Sequence, residues 1–240
     1  MKVIISKDYD ELSKKAADFF EERFDKIKVL GLATGSTPIG LYKQLIKRVE
    51  DGKISFKDKY SVNLDEYIGL PIGHKESYRE FMNDNLFNHV DIDIKNTNVP
   101  FAKDVDDISA CEKYDSIIDG LGGVDVQVLG VGENGHIAFN EPDSELNYNT
   151  SIIKLTDSTI NANSRFFDSY DDVPKYAISM GVGKIMEAKE IILLANGKKK
   201  ADAIRSLLEG DKITCNSPVT LLKLHPNVTV FIDEELNNAL

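Results

Sequence analysis

The chain has 240 residues and a mass of 26.8 kDa, with 42% hydrophobic and 29% charged residues. That balance excludes a disordered chain, and a chain of this length can close a core without disulfide or metal staples. A net charge of −11 repels phosphate backbones and anionic lipid, which excludes nucleic acid and membrane surfaces as partners and requires a local basic pocket for any anionic ligand.

Met1–Asp10 has no basic n-region or cleavage site, and no apolar run approaches the ~20 residues of a membrane span, so a cytoplasmic protein is expected. Cys111 and Cys215 lack CxxC spacing and read as reduced thiols. His74, His89, His136 and His225 show no metal-ligand spacing, and no metal is expected. No repeat or linker divides the chain, which predicts a single domain over residues 1–240.

In chain order, Val3–Ser6 reads as a strand and Glu11–Arg23 as a helix with Leu12, Ala16, Phe19 and Phe20 on its apolar side. Lys28–Leu32 is a buried strand that runs into Gly35-Ser36-Thr37-Pro38, and Ile39–Val49 is helical. Lys59–Leu64 is a strand ending at Asp65, followed by a helix over Ser77–Leu86. Tyr114–Asp119 closes another helix before the strand Val124–Leu129. Ile152–Leu155 is a weaker strand and Ser158–Phe167 a helix. Glu190–Ala195 is a strand feeding the helix Lys199–Glu209, and Val228–Ile232 is the last strand. This alternation predicts an α/β fold with a mostly parallel central sheet and helices on both faces. In such folds ligands sit in the loops at the carboxyl ends of the strands.

Five segments carry candidate chemistry. Thr34–Pro38 combines a glycine, hydroxyls and a following helix whose free N–H groups suit an anion; it also reads as a plain helix start, with Thr37 as N-cap and Pro38 in the first turn. GxxxxGK[ST] is missing, so this is no nucleotide P-loop. Gly130-Val131-Gly132-Glu133-Asn134-Gly135 matches GxGxxG, yet the continuation His136-Ile137-Ala138-Phe139-Asn140-Glu141-Pro142 predicts a loop and not the helix that a dinucleotide fingerprint opens. His136 with Glu141 and Asn134 close by suits proton transfer near neutral pH, against the alternative of a histidine satisfied by loop backbone. Asp65 and Glu66 at a strand end suit a general base, or for Asp65 an N-cap or Asx turn. Arg165, between Ser164 and the pair Phe166-Phe167, is expected to be partly buried; with Lys198–Lys200 it could hold phosphate or decorate the surface.

Together, Ala33–Pro38, Asn63–Leu70 with Glu76–Phe81, Gly130–Pro142, Ala162–Asp168, Val173–Gly183 and Gly197–Ala201 resemble the glucosamine-6-phosphate deaminase (isomerase) family. The matches run from about residue 30 to 225, and the strings GHIAFNEP (Gly135–Pro142) and ANSRFF (Ala162–Phe167) are the most specific. The resemblance implies a Rossmann-like fold and conversion of glucosamine 6-phosphate and water into fructose 6-phosphate and ammonia, with no metal and no cofactor. It implies Asp65 as the base that moves the C2 proton to C1, and His136 as the ring-opening group with Glu141 and Asn134 as partners. It also implies that Gly35, Ser36, Thr37, Arg165 and Lys200 hold the phosphate. Many members of the family have aspartate at the position of Asn134. Allosteric hexameric members carry basic residues after the NEP turn, where this chain reads Asp143–Ser151, so a monomer without that effector site is expected. Residues 143–171 are a candidate lid. The competing expectations are a 6-phosphogluconolactonase, which needs no C2 base, and a non-catalytic sugar-phosphate sensor; the strand beginning at Val3 leaves no room for the helix-turn-helix to which such sensors are joined.

Overall fold

The computed structural model describes residues 1–240. Ten strands follow one another as β1 (Lys2–Ser6), β2 (Val29–Leu32), β3 (Tyr60–Asn63), β4 (Asp65–Ile68) and β5 (Thr97–Asn98), then β6 (Val126–Leu129), β7 (Ser151–Lys154), β8 (Tyr176–Ser179), β9 (Glu190–Ala195) and β10 (Val228–Asp233). The helices are α1 (Tyr9–Glu21), α2 (Ile39–Glu50), α3 (Tyr78–Asn85) and α4 (Ile108–Gly120), then α5 (Asp157–Asn163), α6 (Val182–Met186), α7 (Ala201–Leu208) and α8 (Glu234–Asn237).

Seven strands form one sheet in the order β1-β10-β9-β6-β2-β3-β5, and every pairing in it is parallel. The strands β2, β6 and β10 are buried at every position, because helices cover both faces and each side chain of either parity meets a core. From β2 the chain runs outward through β3 to β5, returns to β6 on the other side of β2, and continues outward through β9 and β10. The direction of winding therefore reverses between β2 and β6, the place where a doubly wound sheet opens a crevice.

The strand after Lys59 differs from the sequence expectation. Asp65 is neither an N-cap nor a turn residue, since it opens β4. Leu64 makes the join: its N–H donates to Leu32 O at 3.2 Å in the large sheet, and its C=O accepts Met180 N–H at 2.7 Å beside β8. β4, β8 and β7 then form a small antiparallel sheet in that order. One face packs Tyr67 and Ala177 on Phe139, Ile160 and Val173. The other packs Ile68 and Ile178 on Ala110 and Cys111 of α4. Cys111 and Cys215 are both free thiols. No helix is long and apolar enough to cross a membrane.

Candidate active site

The crevice at the winding reversal is a cavity of about 770 Å³. Loops from five parts of the chain line it, and they carry Gly35, Ser36, Thr37, Asp65, Asn134, His136, Glu141, Arg165 and Lys200. Residues far apart in sequence thus face one volume, ample for a phosphorylated hexose.

β4 carries two adjacent acids, which strand alternation sends in opposite directions. Asp65 lines the cavity while only 7% exposed. Burial, with the Glu66 carboxylate beside it, pushes its pKa up to about 8, and no donor contact opposes the rise. Glu66 turns away and accepts the backbone N–H groups of Tyr67, Tyr78 and Arg79, each at 2.8 Å. Burial raises its pKa, and these amides with the Arg79 charge oppose that rise. Its work is structural: the carboxylate closes the free N–H groups at the start of α3 and ties that helix to β4. α3 brings Tyr78 and Phe81 to the cavity wall.

The loop after β6 holds the second group. Gly132 N–H donates to His136 O at 2.9 Å and His136 N–H to Asn134 Oδ1 at 3.2 Å, which folds the loop back on itself. No helix opens here, as the proline at 142 suggests, so the GxGxxG match has no dinucleotide role. A Cβ on Gly132 would lie 2.2 Å from the His136 ring, so only glycine lets the imidazole occupy its position. The rest of the loop is pinned to β8: Phe139 N–H donates to Ser179 Oγ at 3.2 Å and Asn140 Nδ2 to Met180 O at 2.9 Å. Ser179 pairs with Asp65 across the small sheet, so one strand fixes both the acid and the histidine loop. Ala138 in this loop is the one non-glycine residue with a positive φ, at 51°, a strained conformation of the sort found where a site dictates the backbone.

His136 Nδ1 lies 3.2 Å from Glu141 Oε2, with the ring turned outside hydrogen-bond geometry. Glu141 Oε2 also accepts Asn134 Nδ2 at 2.7 Å, and Oε1 accepts Thr159 Oγ1 at 2.6 Å. Burial alone would raise the Glu141 pKa, but the His136, Thr159 and Asn134 contacts together outweigh it and hold the carboxyl at about 2. Glu141 is therefore an anion throughout the working pH range. Asn134 reaches Glu141 and the His136 backbone and makes no hydrogen bond to the imidazole.

The loop after β2, Arg165 and Lys200 bring hydroxyls and cations to the same cavity. Gly35 has φ +95°, which swings Ser36 and Thr37 toward the cavity. Thr37 is not the N-cap: α2 starts at Ile39 behind Pro38 with no side-chain cap, and the Thr37 hydroxyl donates to Asn196 Oδ1 at 3.2 Å. The loop is instead clamped from outside by Tyr9, whose OH reaches Ser36 O at 3.0 Å and Thr37 O at 2.9 Å and accepts Gly40 N–H at 2.7 Å. Lys200, in the turn Lys198–Lys200, is half-buried; burial lowers its pKa, while the charge of Glu133 supports the ammonium. Arg165 departs from expectation. The predicted helix Ser158–Phe167 is α5 followed by a 3₁₀ turn over Ser164–Phe166, and on that tighter turn Arg165 points outward at the cavity rim, exposed, with its guanidinium 4.7 Å from the Phe166 ring centroid. Tyr9, Asn196 and Thr159 were invisible as contributors in the sequence, because each acts through a contact between distant segments.

A buried acid, a histidine–carboxylate pair and two cations line one switch-point crevice of this α/β protein, a combination suited to proton transfer on a small anionic ligand. The chain belongs to the glucosamine-6-phosphate isomerase/6-phosphogluconolactonase family, whose model matches residues 7–231. It is 51% identical to a glucosamine-6-phosphate deaminase of Clostridium beijerinckii over 100% of both chains, and 49% identical to one of Clostridioides difficile over 100% of this chain and 97% of that one. Among solved structures, it matches a monomeric glucosamine-6-phosphate deaminase with a TM-score of 0.94 and 42% identity over 100% of both chains. A 6-phosphogluconolactonase from Trypanosoma cruzi shares the fold alone, with a TM-score of 0.76 and 21% identity over 100% of this chain and 96% of that one. The mostly parallel, helix-covered sheet expected from the sequence is the fold found.

Proposed function

We propose that the protein converts glucosamine 6-phosphate and water into fructose 6-phosphate and ammonia. The observation that carries this reading is the placement of a buried, donor-free Asp65 in the same cavity as the His136–Glu141 pair, Arg165 and Lys200. A closed pyranose has no acidic C2–H, so opening comes first and needs a proton moved from O1 to O5; His136, oriented by an always-anionic Glu141, suits that transfer. In the open aldehyde the C2 proton is acidic, and Asp65 removes it and returns it at C1. The resulting C2 imine takes up water and releases ammonia. Gly35, Ser36, Thr37, Arg165 and Lys200 hold the phosphate, whose binding positions the reacting carbons without joining the chemistry.

Lactone hydrolysis, the other activity in the family's name, needs no base at C2, and the phosphogluconolactonase likeness stops at the fold. Purified protein with glucosamine 6-phosphate, followed for ammonia and fructose 6-phosphate, tests the proposal. Lactone hydrolysis without ammonia release would refute it. We further place the protein in the cytoplasm as a monomer, with residues 143–171 as lid. Of these, 151–154 are the strand β7, so the mobile part would be the helical stretch from Thr156 to Asp172 that carries Arg165.

Two variants test single roles. Arg165→Ala removes a phosphate anchor, so kcat/KM should fall at least 10-fold, mainly through a higher KM. Asn134→Asp adds a negative charge against Glu141 in the cavity that also holds Asp65, so the acid limb of kcat should move to higher pH; an unmoved limb would count against Asn134 lying in the proton-transfer site.

A further inference from the structure

The stretch that carries Arg165 also carries a hydroxyl that reaches the proton-transfer pair. Thr159 lies on α5, and its Oγ1 donates to Glu141 Oε1 at 2.6 Å. The same oxygen accepts from Thr156 Oγ1 at 3.0 Å, and Thr156 caps the helix by accepting Thr159 N–H at 3.3 Å. Proton direction along this chain is fixed. A carboxylate only accepts, so Thr159 gives its single proton to Glu141 and its lone pairs serve Thr156. The opposite oxygen, Oε2, holds Asn134 Nδ2 and faces His136 Nδ1 at 3.2 Å. Thr159 and His136 therefore sit on the two oxygens of one carboxylate. Beyond Thr159 the backbone stays helical through Asn163 and the turn Ser164–Phe166, so Arg165 rides on the same short rigid segment. Its only fully buried apolar anchor is Ile160, in the small core with Tyr67 and Phe139.

We propose that Thr159 is a positioning residue that couples capture of the substrate phosphate by Arg165 to the orientation of His136, acting through Glu141. Arg165 is exposed at the rim with no carboxylate partner, so an incoming phosphate draws it inward and the segment follows. The movement sets how firmly Thr159 holds Oε1, and with it the direction in which Oε2 faces the imidazole, whose Nδ1 lies close but misaligned. Binding of the non-reacting phosphate is thereby used to orient the ring-opening group, and a sugar without phosphate leaves that group slack. The coupling rests on the deaminase reading above.

Thr159→Val keeps the side-chain volume and removes the hydroxyl, and Thr159→Ser restores it. With glucosamine 6-phosphate, the valine variant should lose about 10-fold in kcat with KM within about twofold, because only the alignment made on closure is lost. Serine should bring kcat back to near wild type. Arg165→Ala should cost clearly less in kcat/KM when made in the Thr159→Val background than in wild type. Losses that simply multiply, or a valine variant with wild-type kcat, would overturn the coupling. Thermal melts accompany each variant, and if valine unfolds the chain, Thr159→Ala against Thr159→Ser carries the same comparison. Wild-type turnover is measured first: its absence refutes the assigned reaction, whereas a wild-type-like Thr159→Val refutes only the coupling.

Discussion

Asp65→Asn should lower deamination by about 10²–10⁴-fold, the range a positioned general base supplies, while substrate still binds. The same variant should also be the more stable protein at alkaline pH. The folded-state pKa of Asp65 is pushed up to about 8 by burial and by Glu66, so the folded chain holds a proton there that the unfolded chain releases near pH ~4. Stability therefore falls as pH rises across that window, by up to about 1.4 kcal/mol per pH unit, and the whole loss is present above the folded pKa. Asparagine cannot ionise and escapes it. Even one unit's worth corresponds to about 3–6 °C in Tm for a chain of this size, so the Asp65→Asn melt at pH 9 should exceed that of wild type by several degrees, with the gap closing toward pH 4. Equal melting at pH 9 would mean that Asp65 is solvated or paired in solution, contrary to its placement.

Gly132→Ala should lower kcat by about 10²-fold without unfolding the protein, the scale of a misplaced catalytic group. Its Cβ would lie 2.2 Å from His136 Cε1 and 2.3 Å from Nδ1, so the imidazole must swing away from Glu141. Gly132 does not have a positive φ, so alanine brings no backbone strain of its own, and the loop keeps its anchors on Ser179 and Met180. The comparison is Gly120→Ala at the end of α4, where an added Cβ meets nothing within 4 Å; that variant should melt and turn over as wild type does. Steady-state kinetics and thermal melts on the two variants separate a displaced ring from a generally damaged fold.

Much of this architecture could be read in the chain beforehand, for identifiable reasons. Strands such as Val126–Leu129 are apolar at both parities because both faces are covered, and that signature is local. Glycines and hydroxyls crowd the loops after such strands because ligands approach there, so Gly35, His136 and Lys200 stood out by position and type. What stayed hidden depended on partners distant in sequence. Nothing near Asp65 says that the chain continues as β4, since that is decided by pairing with Tyr176–Ser179 more than a hundred residues later. Thr37 looks like an N-cap until Asn196 takes its hydroxyl, and Arg165 looks sheltered by its phenylalanines until the helix tightens to a 3₁₀ turn and sends it outward. Glu66 and Asp65 are adjacent acids with nothing local to tell them apart; their separate duties follow from strand alternation and from the amides of Tyr67 and of Tyr78 and Arg79 at the head of α3.

The double attachment of Leu64, donating to one sheet and accepting from the other, bears on how the molecule comes apart. The residue next to the base is a rivet through both layers, so the small sheet cannot peel away while the large one stands. Breathing motions that open a crevice must then arise elsewhere on its rim, and loss of the base's setting should coincide with collapse of the entire framework.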